Sequence, residues 1–294
     1  MISSPQISIL VCTYNQEQYI GQTLESLLHQ DFDFGYEILV GDDCSTDNTR
    51  QVIQSYIDQY PDIVIPVYPE YNLGASKNIV NLINHARGEI LSVCDGDDYW
   101  LTNQMLQKQW QVFQDAKIGM FCAKAKCFIQ KEQQYRGSLG FSGAEDLLTM
   151  LETSRDVAAP TIAFRTELMK KCIAESQWYI DNNYFYDSIH AYWFAYNSQV
   201  KFVDEELAAY RVLPNSACHA ETYEKNALYA RRYYSVKWRF ILEHNLPVEF
   251  THALLMKEYA ALQQESCHFG EEKVRQSKSY RLGSTILKPL KKLK

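Results

Sequence analysis

The sequence predicts an α/β protein: a mostly parallel central sheet flanked by helices, with a helical extension at the C-terminus. Three observations carry that prediction. Over residues 1–100, apolar runs of strand length alternate with segments of helical period. The strand runs are apolar on both faces, as in a sheet covered on both sides. Three of them stop on polar or acidic residues, at the end where open α/β sheets bind ligands.

Taken in order, Ile7–Cys12 reads as a strand and Gln16–His29 as a helix with Ile20, Leu24, Leu27 and Leu28 on one face. Tyr36–Val40 is a second strand and Asp47–Gln59 a second helix. Ile63–Tyr68, Lys77–Ala86 and Glu89–Cys94 continue the alternation as strand, helix and strand. Beyond that, Asn103–Phe113 is expected as a helix, Gly119–Ile129 as a strand and residues 143–151 as helical. Ala158–Phe164 reads as a strand, Asn183–Tyr196 as a helix, and Val200–Val203 and Glu206–Val212 as separate extended pieces. Ala220–Glu243 and Pro247–Cys267 read as two long helices.

Composition narrows the function classes. A hydrophobic content of 46% with 13% aromatics supports a packed core and excludes general disorder. The eight cysteines form no Cys-x-x-Cys pair, which fits a reduced, cytoplasmic setting. The sequence reads without a signal peptide or a spanning helix. Net charge is −7, yet Lys273 to Lys294 hold eight basic residues and no acid. The remaining body is therefore strongly acidic, which excludes nucleic acid as its partner. The tail, with Leu282, Ile286, Leu287, Leu290 and Leu293 interleaved, suits either a membrane surface or an ordinary solvated extension.

The chemistry concentrates at Cys94-Asp95-Gly96-Asp97-Asp98-Tyr99-Trp100, where a strand stops on three carboxylates within four positions. Crowded acids repel, and a divalent cation relieves them. Hard oxygens suit Mn2+ or Mg2+ shared with the phosphates of a substrate. Two other strands end in Thr13-Tyr14-Asn15 and Asp42-Asp43-Cys44-Ser45, and parallel strands bring such ends to one edge. Ser45 or Thr46 can cap the following helix with Asp47 in its first turn. Capping does not require both Asp42 and Asp43, and a strand-end carboxylate can accept the ring N–H of a nucleobase. No Gly-x-Gly-x-x-Gly follows the first strand, which disfavours a dinucleotide site.

Together Ser8–Asn15, Glu37–Thr49, Asn72-Leu73-Gly74 and Asp95–Trp100 resemble the family-2 glycosyltransferases, across roughly residues 5–215. The resemblance implies an inverting enzyme of the GT-A fold, a Rossmann-like sheet, acting on a nucleotide-diphosphate sugar. It implies that Asp43 binds the base with Asp42 close by, and that Thr13, Tyr14 and Asn15 line the nucleotide pocket. Asp95 and Asp97, with Asp98 adjacent, would contact ribose and metal; both Asp97 and Asp98 stand as the inner ligand. Cys44 takes a place usually held by Gly or Asn. Asn72, Gly74, Lys77 and Asn78 match a block bordering the nucleotide sugar, where Lys77 meets a phosphate or is simply an exposed helix residue, and Asn78 bonds ribose or sugar.

Inversion needs one base for the acceptor hydroxyl. The family's base commonly sits in an acidic pair opening a helix, and Asp187 is the best match, with Tyr186 in the place of the first acid and Asp181 as competitor. Tyr210-Arg211 through His219 resembles the family's terminal block, where Arg211 approaches the diphosphate and His219 offers a third metal ligand. The expected organisation is a catalytic domain over 1–215, made of a nucleotide-binding half (1–100) and an acceptor-binding half (101–215), then a helical extension over 216–294. The expected acceptor is a glycan or lipid-linked hydroxyl in cell-surface polysaccharide synthesis. A nucleotidyltransferase and an inactive glycan- or nucleotide-binding scaffold are the rival functions.

Overall fold

The computed structural model describes residues 4–141, 143, 145–152, 157–184, 186–214, 234–252, 254–256 and 258. Contacts divide the chain into two units, residues 1–146 with 155–213, and residues 147–154 with 214–294.

The first unit starts with the expected alternation. Strand β1 (Ile7–Thr13) precedes helix α1 (Ile20–Leu28), β2 (Tyr36–Asp42), α2 (Thr49–Gln59), β3 (Val64–Pro66), α3 (Ala75–His85) and β4 (Ile90–Val93). Strands β3, β2, β1 and β4 lie side by side and all run parallel. The inner strands are buried along almost their whole length, Cys12 of β1 being partly exposed, which is why their sequences are nearly continuous apolar runs. Ile20, Leu24 and Leu27 of α1 are fully buried in the core with Ile7, Ile9, Val11, Ile38 and Val40. Each such side chain contributes about 1.5–3 kcal/mol by leaving water.

Two polar residues interrupt this apolar pair of strands, and both are satisfied locally. Ser8 and Glu37 are register partners across β1 and β2. The Ser8 hydroxyl donates to Glu37 (2.7 Å), whose carboxylate also takes the backbone N–H of Arg87 (2.9 Å) and its guanidinium. The polar cluster thus ties the loop before β4 to the N-terminal end of the sheet.

The second half is mixed. After β5 (Tyr99–Trp100) and α4 (Met105–Val112) come β6 (Ile118–Ile129) and β7 (Gln134–Leu139). In the other unit, α5 (Leu147–Glu152) follows. The first unit then resumes with a 3-10 turn (Ala159–Thr161), β8 (Ala163–Arg165), α6 (Thr166–Glu175), α7 (Gln177–Asp181), α8 (Tyr186–Asn197) and β9 (Gln199–Val212). The sheet order is β3-β2-β1-β4-β8-β6-β9-β5, with β7 pairing β6. β8 is antiparallel to both β4 and β6, β9 is parallel to β6, and β5 is antiparallel to β9.

Several expectations need correction here. The expected strand over Ala158–Phe164 is a 3-10 turn and then a short strand that reaches Arg165. The two pieces around residues 200–212 are one strand of 14 residues, β9. Helices α6 and α7 and strands β5 and β7 were not anticipated. In the second unit, residues 234–243 and 248–252 are helical. There the Lys237 ammonium is buried and donates to the carbonyls of Met150 and Leu151, both at 3.2 Å. The remainder of the two expected C-terminal helices, and the basic tail, lie outside the described residues. No helix among the described residues is long and apolar enough to cross a membrane.

Candidate active site

The ends of β1, β2 and β4 meet. Register pairs Thr13 with Asp42 across β1 and β2. The Asp43 amide donates to the Thr13 carbonyl (3.0 Å), and beyond β4 the amides of Cys94 and Gly96 donate to Leu10 (3.1 Å) and Cys12 (2.8 Å). The acidic turn is therefore stitched to the tip of β1 at the level where β2 delivers its two acids. Cys12 lies between them: burial, then the charges of Asp95 and Asp43, push its thiol well above the ordinary range.

The two acids where β2 ends, Asp42 in the strand and Asp43 just beyond it, have different jobs. Asp42 is fully buried and bound by Arg50 through Nε (2.8 Å) and a terminal nitrogen (2.7 Å). Its other oxygen accepts the Ser45 amide (3.2 Å), and Arg50 lies 4.3 Å over the Tyr68 ring. Asp42 therefore anchors the loop. Asp43 points the other way: one carboxylate oxygen accepts the amide of Leu73 (2.7 Å) and the other that of Gly74 (2.9 Å). Asn72 donates to the Asp43 carbonyl at 2.8 Å. Asp43 thus organises the 72–74 loop, and each of its oxygens retains a lone pair for a ligand donor.

Asn15, at φ 54°, spends its side-chain oxygen on the Thr46 amide (2.8 Å), while its own amide donates to Ser45 (2.9 Å). The N-cap position of α2 is Asn48, and Asp47 just before it accepts from the amide and hydroxyl of Thr49, the first helical residue (2.9 and 2.6 Å); Ser45 and Thr46 serve Asn15 instead. Tyr14 is exposed at the edge. Gln16 went unnoticed in the sequence. It accepts the Thr13 hydroxyl (2.7 Å) and hydrogen-bonds Asp97, linking β1 to the acidic turn.

Within that turn the three carboxylates separate. Asp95 and Asp97 are half-buried. Asp98 is buried, and its carboxylate accepts the Arg211 amide of β9 at 2.7 Å. Asp98 therefore faces the sheet, which leaves Asp95 and Asp97 as the more accessible pair. Burial, then repulsion from Asp97 and Asp95, hold Asp98 well above the usual carboxylate range; burial also raises Asp97, against the pull of Arg211 and Gln16. Arg211 is likewise inward. It is 5% exposed and bonded to the Asp97 carbonyl, Gln130 and Gln22. The diphosphate approach expected of Arg211 stays an expectation; its guanidinium is turned to the Asp97 carbonyl, Gln130 and Gln22.

Loop 181–184 is tied to the start of α3. Gly74, at φ 78°, precedes the helix, and a Cβ there would meet Asn183 at 3.4 Å. The Ser76 amide donates to Asn183 (3.2 Å) and the Ser76 hydroxyl to the Tyr184 carbonyl (2.9 Å). Lys77 pairs with Asp181 at 3.8 Å, so the competitor base already has a cation beside it. Asn78 is buried and donates to the Gly41 carbonyl (2.8 Å) beneath β2. Its NH2 group is thus held by β2, and the bond to ribose or sugar expected of Asn78 stays an expectation. Asp187 is the second residue of α8, and its side chain, like the whole of His219, lies outside the described residues.

Asp95 and Asp97 fit a divalent ion that draws its other ligands from water and a diphosphate, since Mg2+ is commonly held by one or two carboxylates with substrate phosphates. Among the described residues, no three His, Cys, Asp or Glu side chains are grouped to hold a metal by themselves.

The model of a family described as glycosyl transferase family 2 matches residues 8–173, over half of the chain, and the chain belongs to that family. It is similar to an uncharacterized protein of Mycobacterium tuberculosis, 39% identical over 103 residues, 35% of this chain and 30% of that protein. The chain thus spans about three-tenths of that relative's length. It is also 28% identical over 141 residues (48% of this chain, 44% of the relative) to the GalNAc(5)-diNAcBac-PP-undecaprenol beta-1,3-glucosyltransferase of Campylobacter jejuni. A solved mannosyltransferase of Pyrobaculum calidifontis, in complex with GDP-Man and Mn2+, superimposes with a TM-score of 0.63 at 18% identity, covering 96% of this chain and 84% of that one. The shared architecture is the GT-A fold.

Proposed function

We propose that the protein is an inverting glycosyltransferase that moves a sugar from a nucleotide-diphosphate donor to a hydroxyl of a glycan or lipid-linked acceptor in polysaccharide synthesis. The observation that carries this is the junction of Thr13, Asp43 and the Asp95–Asp97 turn at one edge of parallel strands. It supports a nucleobase and ribose between the β1 and β2 tips, with the diphosphate directed at the acidic turn. Asp43, together with the 72–74 loop it organises, is the base-reading element. Thr13 and Gln16 set the floor, with Tyr14 at the rim.

Asp95 and Asp97 would hold Mn2+ or Mg2+, which neutralises charge on the departing nucleoside diphosphate. Asp187, opening α8 three residues after the loop tied to α3, takes the proton of the acceptor hydroxyl as that oxygen attacks the anomeric carbon opposite the leaving group. One carboxylate suffices because no glycosyl-enzyme forms. The Campylobacter relative's name supports a lipid-linked acceptor, and the basic tail from Lys273 onward supports a peripheral position on the cytoplasmic face of a membrane.

The test is a panel of UDP-, GDP- and TDP-sugars screened by thermal shift with Mn2+, followed by donor turnover for wild type, Asp97→Ala and Asp187→Asn. Turnover lost in both variants, with donor binding kept in Asp187→Asn, is expected. Donor binding with no turnover in wild type would favour the scaffold; pyrophosphate release from a nucleoside triphosphate would favour the nucleotidyltransferase.

A further inference from the structure

Arg211 places a full positive charge beside three carboxylates, yet among the described residues its guanidinium hydrogen bonds go to neutral oxygens. Nε donates to the carbonyl of Asp97 (2.7 Å), and the two terminal nitrogens donate to the side-chain oxygens of Gln130 (2.5 Å) and Gln22 (2.7 Å). The rings of Tyr19, Tyr99 and Phe128 lie 4.8, 5.2 and 5.4 Å from its central carbon. A phosphate could reach this group only by displacing the aromatic wall or the glutamines.

We propose that Arg211 is a positioning residue that clamps the acidic turn from inside, fixing the Asp97 peptide so that Asp95 and Asp97 stand ready for a cation-bridged diphosphate. This rests on the glycosyltransferase reading above. The clamp has two further contacts. The backbone amide of Arg211 holds the Asp98 carboxylate at 2.7 Å, and the Thr23 hydroxyl of α1 contacts the carbonyls of Gly96 (2.9 Å) and Asp98 (2.6 Å). Three consecutive carbonyls of the turn are therefore fixed by α1 and β9 together. The planar fork of arginine, aimed at three separate oxygens, is what the task requires; a lysine ammonium supplies the charge without the fork.

Mn2+ binding to the full chain, read by the EPR signal of free Mn2+ with UDP or GDP present, separates the accounts. If Arg211 positions the turn, Arg211→Lys and Arg211→Met each weaken Mn2+ binding by tenfold or more while circular dichroism stays that of the wild type. If it acts only as a nearby charge, Arg211→Met tightens Mn2+ binding and Arg211→Lys leaves it unchanged, which overturns the proposal. Loss of nucleotide binding by Arg211→Met in the absence of metal would make it a phosphate contact and overturn the proposal too. Should either variant fail to fold, the double variant Gln22→Met with Gln130→Met keeps the charge and removes two acceptors. Weaker Mn2+ binding supports the clamp, and unchanged binding refutes it. A wild type that binds no Mn2+ sinks the metal reading along with the clamp, whereas wild-type binding matched by a folded Arg211→Lys sinks the clamp alone.

Discussion

Gly96 packs so closely on the tip of β1 that a Cβ built on it would stand 2.7 Å from both Cβ and Oγ1 of Thr13 and 2.6 Å from Oε1 of Gln16. Gln16 can swing aside, but Thr13 is fixed by its strand. Gly96→Ala is expected to destabilise by about 1–3 kcal/mol as an overpacked contact and to lower donor turnover at least tenfold. Urea unfolding and donor hydrolysis measure the two effects, and Thr13→Gly in the same chain is expected to restore part of each.

Asp43 satisfies two backbone amides with two oxygens, a task asparagine cannot repeat. Asp43→Asn leaves one amide of the 72–74 loop without its acceptor and sets an NH2 group against it. The expected cost is about 1–3 kcal/mol, together with a rise in donor KM larger than any fall in kcat. Retention of wild-type donor affinity in a steady-state assay would show that the loop does not read the nucleotide.

Cys44 adopts φ 63°, the left-handed region, with its thiol directed to the Pro69 carbonyl at 3.4 Å. Residues with a Cβ pay roughly 1–2 kcal/mol there, which explains why glycine or asparagine suits this place. Cys44→Gly is expected to raise the midpoint of thermal unfolding, by up to about 1 kcal/mol of stability after the added chain entropy of glycine, and to leave turnover unchanged.

His190 of α8 is buried against Phe164 of β8, and burial lowers its pKa to about 3. The unfolded chain takes up a proton near pH 6.5 that the folded chain refuses, so stability is full above that value and is lost as pH falls towards 3. This group alone adds a slope approaching about 1.4 kcal/mol per pH unit below about pH 6. Urea midpoints measured at about pH 7 and about pH 5 are expected to diverge less in His190→Leu than in wild type.

The parallel half was legible because its strands are buried on both faces and leave an unmistakable pattern. The second half was not, for identifiable reasons. Strand β7 is exposed along its length and carries no alternation, and β5 has only two residues. Asp204 and Glu205 broke the pattern of β9 because the strand bulges there: its register against β6 passes from Val203 to Glu206, and the strand continues beyond them. In the site, residue type announced the acids but not their direction. Asp97 and Asp98 are neighbours in a string, and only the pairing of β5 with β9 turns Asp98 into the sheet and leaves Asp97 the more accessible. That two glutamines and three rings surround Arg211 could not be read from the sequence either, because they come from separate segments of the chain. Gln16 gave no signal beyond its place just after Thr13-Tyr14-Asn15.

The strand order has a consequence for length. β4 and β5 stand four places apart in the sheet, about 19 Å if it lay flat, yet the chain between Val93 and Tyr99 could span only about 20 Å even if pulled straight. It is not straight, since the Asp98 amide folds back to the Asp95 carbonyl at 3.0 Å. The far strands must therefore bend round like a hoop, with the acidic residues forming its clasp. Adding or deleting one residue between Cys94 and Tyr99 changes the girth of that hoop, so the segment that looks most like a surface loop tolerates the least editing.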